Sequence, residues 1–157
     1  MAKKDRAVRV AGKAVVVRRG RLLLVRKKSE TDEWYSLPGG GQEKFETIGR
    51  ALVRECREET GYTVKMGPLM FVSEYIGKNH EFAKVEGDAH QIDLFFLCGL
   101  AKGRRRSNLR PDEYQCGIEW VPLSRLSKTR LYPKFLRRRI PAYLKRPRPP
   151  YYLGDIN

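Results

Sequence analysis

Hydrophobic and polar positions change period several times along the chain, and the changes mark its elements. Residues 7–17 (AVRVAGKAVVV) are rich in β-branched side chains and partly alternate; LLLV at 22–25 follows RRGR at 18–21, whose glycine suits a tight turn. The pattern predicts two antiparallel strands joined by a hairpin. A polar loop is expected over 27–33, and WYSLPGGG at 34–41 carries a proline and three glycines that should interrupt any regular element. From about Thr47 to Thr60 the spacing turns helical, with Thr47 placed to cap the start and Gly61 to end the helix in a left-handed conformation. Two strand-like runs, 62–76 and 91–100, flank the polar stretch GKNHEFAKVEGDAH, which is long enough to be a functional loop. GRRRSNLRPDE at 103–113 reads as a second polar loop, GIEWVPL at 117–123 as a short strand and SRL at 124–126 as a turn or helix. YPKFLRRRIPAYLK at 132–145 is expected to be a helix that Pro141 breaks or kinks, and RPRPPYYLGDIN at 146–157 to be irregular. No internal repeat is present. Strands and helices alternating beside a hairpin point to a mixed α/β sandwich.

A chain of 157 residues with 41% hydrophobic residues suits one domain over 1–157 with a proper core. No apolar run approaches the roughly 20 residues of a membrane-spanning helix, so membrane insertion is not expected. MAKKDRAVRV lacks the apolar stretch and small-residue cleavage site of a secretory signal. Cys56, Cys98 and Cys116 are too few and too irregularly spaced for a disulfide framework or a zinc site, and a reducing cytoplasm is the expected location. The net charge of +15 is uneven: +7 over residues 1–38, −3 over 39–101 and +11 over the basic segment 102–157. Basic flanks attract polyanions such as nucleotides or RNA, and equally serve as a solvated surface.

The chemistry concentrates in GGQEKFETIGRALVRECREETGY, residues 40–62. At roughly 100° per residue, Glu55, Glu58 and Glu59 share one helix face beside an apolar stripe of Leu52, Val53 and Cys56. Like charges at this spacing cost helix stability unless a cation compensates. Magnesium or manganese would do so, being hard ions that prefer oxygen ligands, and Arg54 and Arg57 could neutralise part of the cluster. Taken without the spacing, the three carboxylates read first as an exposed acidic face.

The spacing of Gly40, five residues, Glu46, seven residues, then Arg54-Glu55-Cys56-Arg57-Glu58-Glu59-Thr60-Gly61-Tyr62 resembles the Nudix box of MutT-like hydrolases, position for position. The upstream LPGG and downstream EWVPL resemble that family's flanks, and the likeness covers residues 7 to about 140. Cys56 and Tyr62 stand where aliphatic residues are usual, and both remain apolar enough to pack. The resemblance implies an α/β/α sandwich with a mixed sheet and a strand–loop–helix motif. It also implies Mg2+- or Mn2+-dependent hydrolysis of a nucleoside diphosphate derivative. It assigns Glu55, Glu58 and Glu59 to metal, any of them able to serve as base, and Arg54 to orienting a neighbouring glutamate. Glu46 becomes a further ligand or an anchor at the helix start, and Gly40 a loop residue at the substrate. Some family members take a carboxylate from a distal loop; Glu119 is the first candidate and Glu113 the second. A homodimer is also consistent with the resemblance.

Substrate markers downstream of the box are missing: Pro68 is too near for the ADP-ribose pattern, Tyr75 early for the diadenosine polyphosphate pattern, and Ser-Gln-Pro-Trp is not present. Trp34, Tyr35 and Phe45 near the box and Tyr75, His80 and Phe82 near the long loop could stack on a nucleobase, with Trp34 and Tyr75 as candidates for substrate contact. His80 and His90 read as polar loop residues, since a hard-cation site has no need of them. In the basic segment, Tyr132, Phe135, Tyr143, Tyr151 and Tyr152 interleave with arginines. This suits RNA binding, and suits the buried face of a terminal helix better. The reading is a pyrophosphohydrolase of a nucleoside triphosphate, ADP-ribose or nucleotide sugar; an RNA 5′-end pyrophosphohydrolase and a non-catalytic nucleotide- or RNA-binding module are the alternatives.

Overall fold

The computed structural model describes residues 7–107 and 109–157; the basic start of the chain, residues 1–6, and Asn108 of the second polar loop lie outside them. Strands β1 (Arg9–Arg18) and β2 (Arg21–Lys28) form the expected hairpin over Arg19-Gly20. They pair only at Val17↔Leu22 and Arg18↔Arg21, and then diverge. On the β1 side of the opening, β4 (Gly39–Gly41) pairs with Ala11, Gly12 and Lys13; on the β2 side, β3 (Glu33–Ser36) pairs with residues 25–28. The sheet continues from β1 into β6 (His90–Leu100), which runs parallel to it, and then into β5 (Val64–Ile76), antiparallel to β6. β8 (Tyr151–Asp155) adds parallel to β5, and β7 (Gln115–Pro122) lies antiparallel to β2.

Single-residue alternation sends neighbouring side chains into two cores. Ala14, Val16, Leu23, Phe96 and Cys98 face α1 (Ile48–Thr60), which buries Leu52 and Cys56 against them. Val15, Leu22, Leu24, Phe71 and Phe95 face the other way, beneath Leu136, Ile140 and Tyr143 of a C-terminal helix, Leu136–Lys145. A mixed sheet covered by a helix on each face is the α/β/α sandwich the sequence predicts.

Two local expectations need correction, at WYSLPGGG and the tail, and two others are refined. WYSLPGGG does not break the sheet but supplies β3 and β4 around Leu37-Pro38, because glycines without side chains still offer backbone N–H and C=O groups to β1. The 77–90 loop holds a 3-10 turn, Gly77–Asn79, and a short helix, α2 (Ala83–Glu86). Of the break or kink expected at Pro141, the break does not occur: Pro141 sits inside the C-terminal helix, α3, whose Leu136, Ile140 and Tyr143 are buried. The tail is not irregular: β8 pairs through Phe71↔Tyr151 and Val72↔Tyr152. Asp155 at its end accepts hydrogen bonds from Ile76 N–H (2.9 Å) and Asn79 Nδ2 (2.8 Å) and contacts His80 Nε2 at 2.5 Å, which ties the tail to the 77–90 loop.

Cys56 and Cys98 are buried and Cys116 is exposed, all three as free thiols. Burial pushes the Cys56 thiol well above its ordinary value and the Cys98 thiol up to about 11. Among the described residues no helix is long and apolar enough to cross a membrane.

Both caps of α1 are where the sequence puts them. The Thr47 side chain accepts from Arg50 N–H at 3.3 Å, and Gly61, at φ 75°, donates its N–H to the Arg57 carbonyl at 3.0 Å. A Cβ on Gly61 would stand 2.2 Å from the Arg106 carbonyl oxygen. Gly61→Ala is therefore expected to destabilise the fold by roughly 2 kcal/mol, combining left-handed strain with a forced shift of the 102–113 loop. Urea unfolding of the two proteins measures this, and a change under 0.5 kcal/mol (roughly the level of a neutral surface substitution) would contradict it.

Candidate active site

The site is built where α1 meets the β1–β2 opening. Gly40 lies in β4 directly under Glu55: a Cβ there would come within 2.5 Å of the Glu55 carboxyl carbon and 2.7 Å of its Oε2. Only glycine leaves the carboxylate this seat on the backbone. Glu59, one turn on, is 2% exposed and reaches the strands, where Gly39 N–H donates to its Oε2 at 2.8 Å. Burial raises the Glu59 carboxyl to about 7, against the opposing pull of Lys13 and the Gly39 hydrogen bond. Gln115 Nε2 donates to the Glu59 carbonyl at 2.5 Å and pins this turn to β7.

Arg54 organises the carboxylates around it. Its Nε and one terminal nitrogen fork onto Glu46 at 2.8 and 3.0 Å, while the other terminal nitrogen donates to Glu55 Oε1 at 2.8 Å and stands 3.6 Å from Glu58. It also donates to the Gly41 carbonyl at 3.2 Å, which joins helix, loop and strand. The Arg54 contact, together with the Glu43 N–H, holds Glu46 down at about 2. Glu46 stands in this structure as the anchor of Arg54.

The remaining sequence candidates are placed differently. Glu119 is exposed on β7 and accepts a 2.7 Å hydrogen bond from Tyr35 Oη. Its register partner is Leu24, which puts it on the α3 side of the sheet, and no hydrogen bond or ion pair joins it to the box carboxylates among the described residues. Glu113 is exposed in the 102–113 loop. Trp34, half-buried on β3, packs on Tyr114 with ring centroids 5.7 Å apart. Tyr75 stacks on His80 at 4.9 Å and donates to Glu86 Oε2 at 2.6 Å. In the basic segment, Phe135 and Tyr143 are core, Tyr132 packs against Phe82, and Tyr152 donates to Glu74.

Sequence reasoning missed Lys13 and Asp93. Lys13 influences both Glu59 and Asp93, and Asp93 is 3% exposed, its carboxyl raised by burial. A lysine and an aspartate in otherwise apolar central strands were the available signal.

Among the described residues no three His, Cys, Asp or Glu side chains stand close enough to enclose an ion. That arrangement still fits a hard divalent cation, because magnesium is usually held by one or two carboxylates together with substrate phosphates rather than by a protein cage. Glu55, seated on Gly40 with Glu58 and Glu59 on the same helix face, offers such oxygen donors.

An α/β/α sandwich with a glycine-seated glutamate helix at the strand opening defines the class. The model of the NUDIX domain matches residues 7–143, and the chain belongs to that family. It is similar to "Nucleoside diphosphate-linked moiety X motif 6" of Xenopus laevis, at 29% identity over 121 residues, 76% of this chain and 52% of that protein. The chain spans about half the length of the first curated relatives it matches, 56% and 52%. Its fold is that of a NUDIX hydrolase from Nitrosomonas europaea (TM-score 0.73, 20% identity, 92% and 93% of the two chains). It is also that of an ADP-ribose pyrophosphatase from Streptococcus suis 89-1591 (TM-score 0.68, 18% identity, 94% and 100%). Nudix hydrolases generally need divalent metals.

Proposed function

We propose that the chain is a pyrophosphohydrolase that cleaves a phosphoanhydride bond in a nucleoside diphosphate derivative, of the nucleoside triphosphate, ADP-ribose or nucleotide sugar class, with Mg2+ or Mn2+. The observation that carries this reading is the Arg54 hub, which holds Glu55 against Gly40 and draws Glu58 alongside. A binding module has no need to gather Glu55 and Glu58 beside a guanidinium that Glu46 anchors, whereas metal-assisted hydrolysis does. When bound, the cation would offset phosphate charge and lower the pKa of an attacking water. Glu55, Glu58 and Glu59 would hold it, and one of them would accept the water's proton. Arg54 orients Glu55 and compensates the cluster before metal and substrate arrive.

Product analysis with a panel of nucleoside triphosphates, ADP-ribose, nucleotide sugars, dinucleoside polyphosphates and 5′-triphosphate RNA, with Mg2+ or Mn2+, tests the reading. Metal-dependent turnover of one class is expected. A folded protein that binds metal and hydrolyses none of them would instead be a nucleotide-binding module.

A further inference from the structure

A cleft of about 760 Å³ runs along the outer side of α1, between the helix and the 102–113 loop. Arg50, Arg54 and Arg57 line it from the helix, and Arg106 and Arg110 from the loop. The three helix positions follow i, i+4, i+7 spacing, which stacks them in one stripe. The loop pair is fixed by its backbone: Arg106 N–H donates to the Gly61 carbonyl at 2.8 Å and Arg110 N–H to the Glu58 carbonyl at 3.0 Å.

Two glutamates, Glu46 and Glu58, also line the cleft, and both are engaged by Arg54. The other four guanidiniums make no side-chain hydrogen bond or ion pair among the described residues, and Arg57 Nε is buried without a partner. Concentrating unpaired cations in a concave site is unfavourable unless an anion neutralises them. No lining residue is aromatic, so the cleft lacks an aromatic platform for a base and presents chiefly guanidinium groups to a ligand. Its volume is that of a small-molecule site.

We infer that this cleft binds a compact anion carrying three or more closely spaced phosphates, held by Arg50, Arg57, Arg106 and Arg110 on the outer side of the carboxylate helix. Recognition is by charge and by guanidinium forks onto phosphate oxygens, without contact to a base. The cleft shares Arg54 and Glu58 with the proposed hydrolytic site, but the inference requires neither metal nor turnover, so loss of hydrolysis alone leaves it standing.

The test is calorimetric titration of the full chain in EDTA with inorganic tripolyphosphate and, separately, inositol hexakisphosphate, which distinguishes a linear from a ring-borne phosphate array. One or both should bind, more weakly as salt rises. The doubly substituted Arg50→Ala, Arg110→Ala protein should lose about tenfold or more in affinity. Arg50→Lys, Arg110→Lys should recover part of it, and Glu59→Gln should bind as the parent does. ATP should bind no more tightly than tripolyphosphate. Circular dichroism and melting establish that the variants fold, and the lysine pair carries the comparison if the alanine pair does not. No binding by the parent, equal binding by parent and alanine protein, or clear preference for an RNA oligonucleotide over both phosphate probes would each overturn the inference.

Discussion

Arg54→Ala should lower turnover by about 10–100-fold, the usual consequence of removing a group that orients metal-holding carboxylates. It should also destabilise the fold by roughly 2 kcal/mol, because Glu46 and Glu55 lose their cation in a site only partly open to water. Arg54→Lys restores the charge but cannot reproduce the fork onto Glu46 at 2.8 and 3.0 Å while also reaching Glu55. It should therefore recover stability in part and turnover hardly at all. Urea unfolding and steady-state kinetics on the three proteins separate these effects, and a fully active lysine variant would show that charge alone suffices at this position.

Glu59→Gln should abolish measurable turnover while leaving the fold intact, since the amide oxygen can still accept the Gly39 N–H. Its second signature is a change in the pH dependence of stability. The Glu59 carboxyl moves from its ordinary 4.5 in the unfolded chain to about 7 in the fold, so between those values the folded protein holds a proton that the unfolded chain has released. Its stabilising effect is complete below 4.5 and is lost as pH rises through about 7, at a cost of up to roughly 3 kcal/mol. Glu46 and Asp155, both held at about 2, act in the opposite sense: their stabilisation is lost only as pH falls below the ordinary carboxylate range. Urea unfolding of the EDTA-treated protein from about pH 5 to about pH 8 isolates Glu59 as the difference between parent and variant. Equal slopes in the two proteins would sink the assignment of the shift to this residue, and undiminished hydrolysis would sink its place in the site.

The helix that carries the site was legible because its signals are local. Thr47, Gly61 and the Leu52/Cys56 stripe each act within a turn or two, and all three perform as their residue types dictate. Gly40 was legible only through its spacing from Glu46 and Arg54; that a glycine is needed because Glu55 rests on it emerges from the packing. β4 and β8 were not legible. One is three glycines without a side-chain pattern, and the other pairs with β5 across some 80 residues of chain, Phe71 with Tyr151, after a proline-rich approach. The roles of Lys13 and Asp93 likewise depend on the parallel β1–β6 register, which no local pattern encodes. Arg54 and Arg57 stood out in the sequence but the stripe they form with Arg50 did not, and the alignment of that stripe with Arg106 and Arg110 depends on the loop folding back onto the end of α1.

The contrast between the buried Cys56 and Cys98 and the exposed Cys116 makes the unaltered protein a single-site conjugation scaffold. A maleimide fluorophore should attach at Cys116 alone under native conditions, because the other two thiols are both shielded and hard to ionise. Cys116 follows Gln115, whose side chain grips the Glu59 carbonyl. A dye there would report optically on the carboxylate turn without any engineered cysteine.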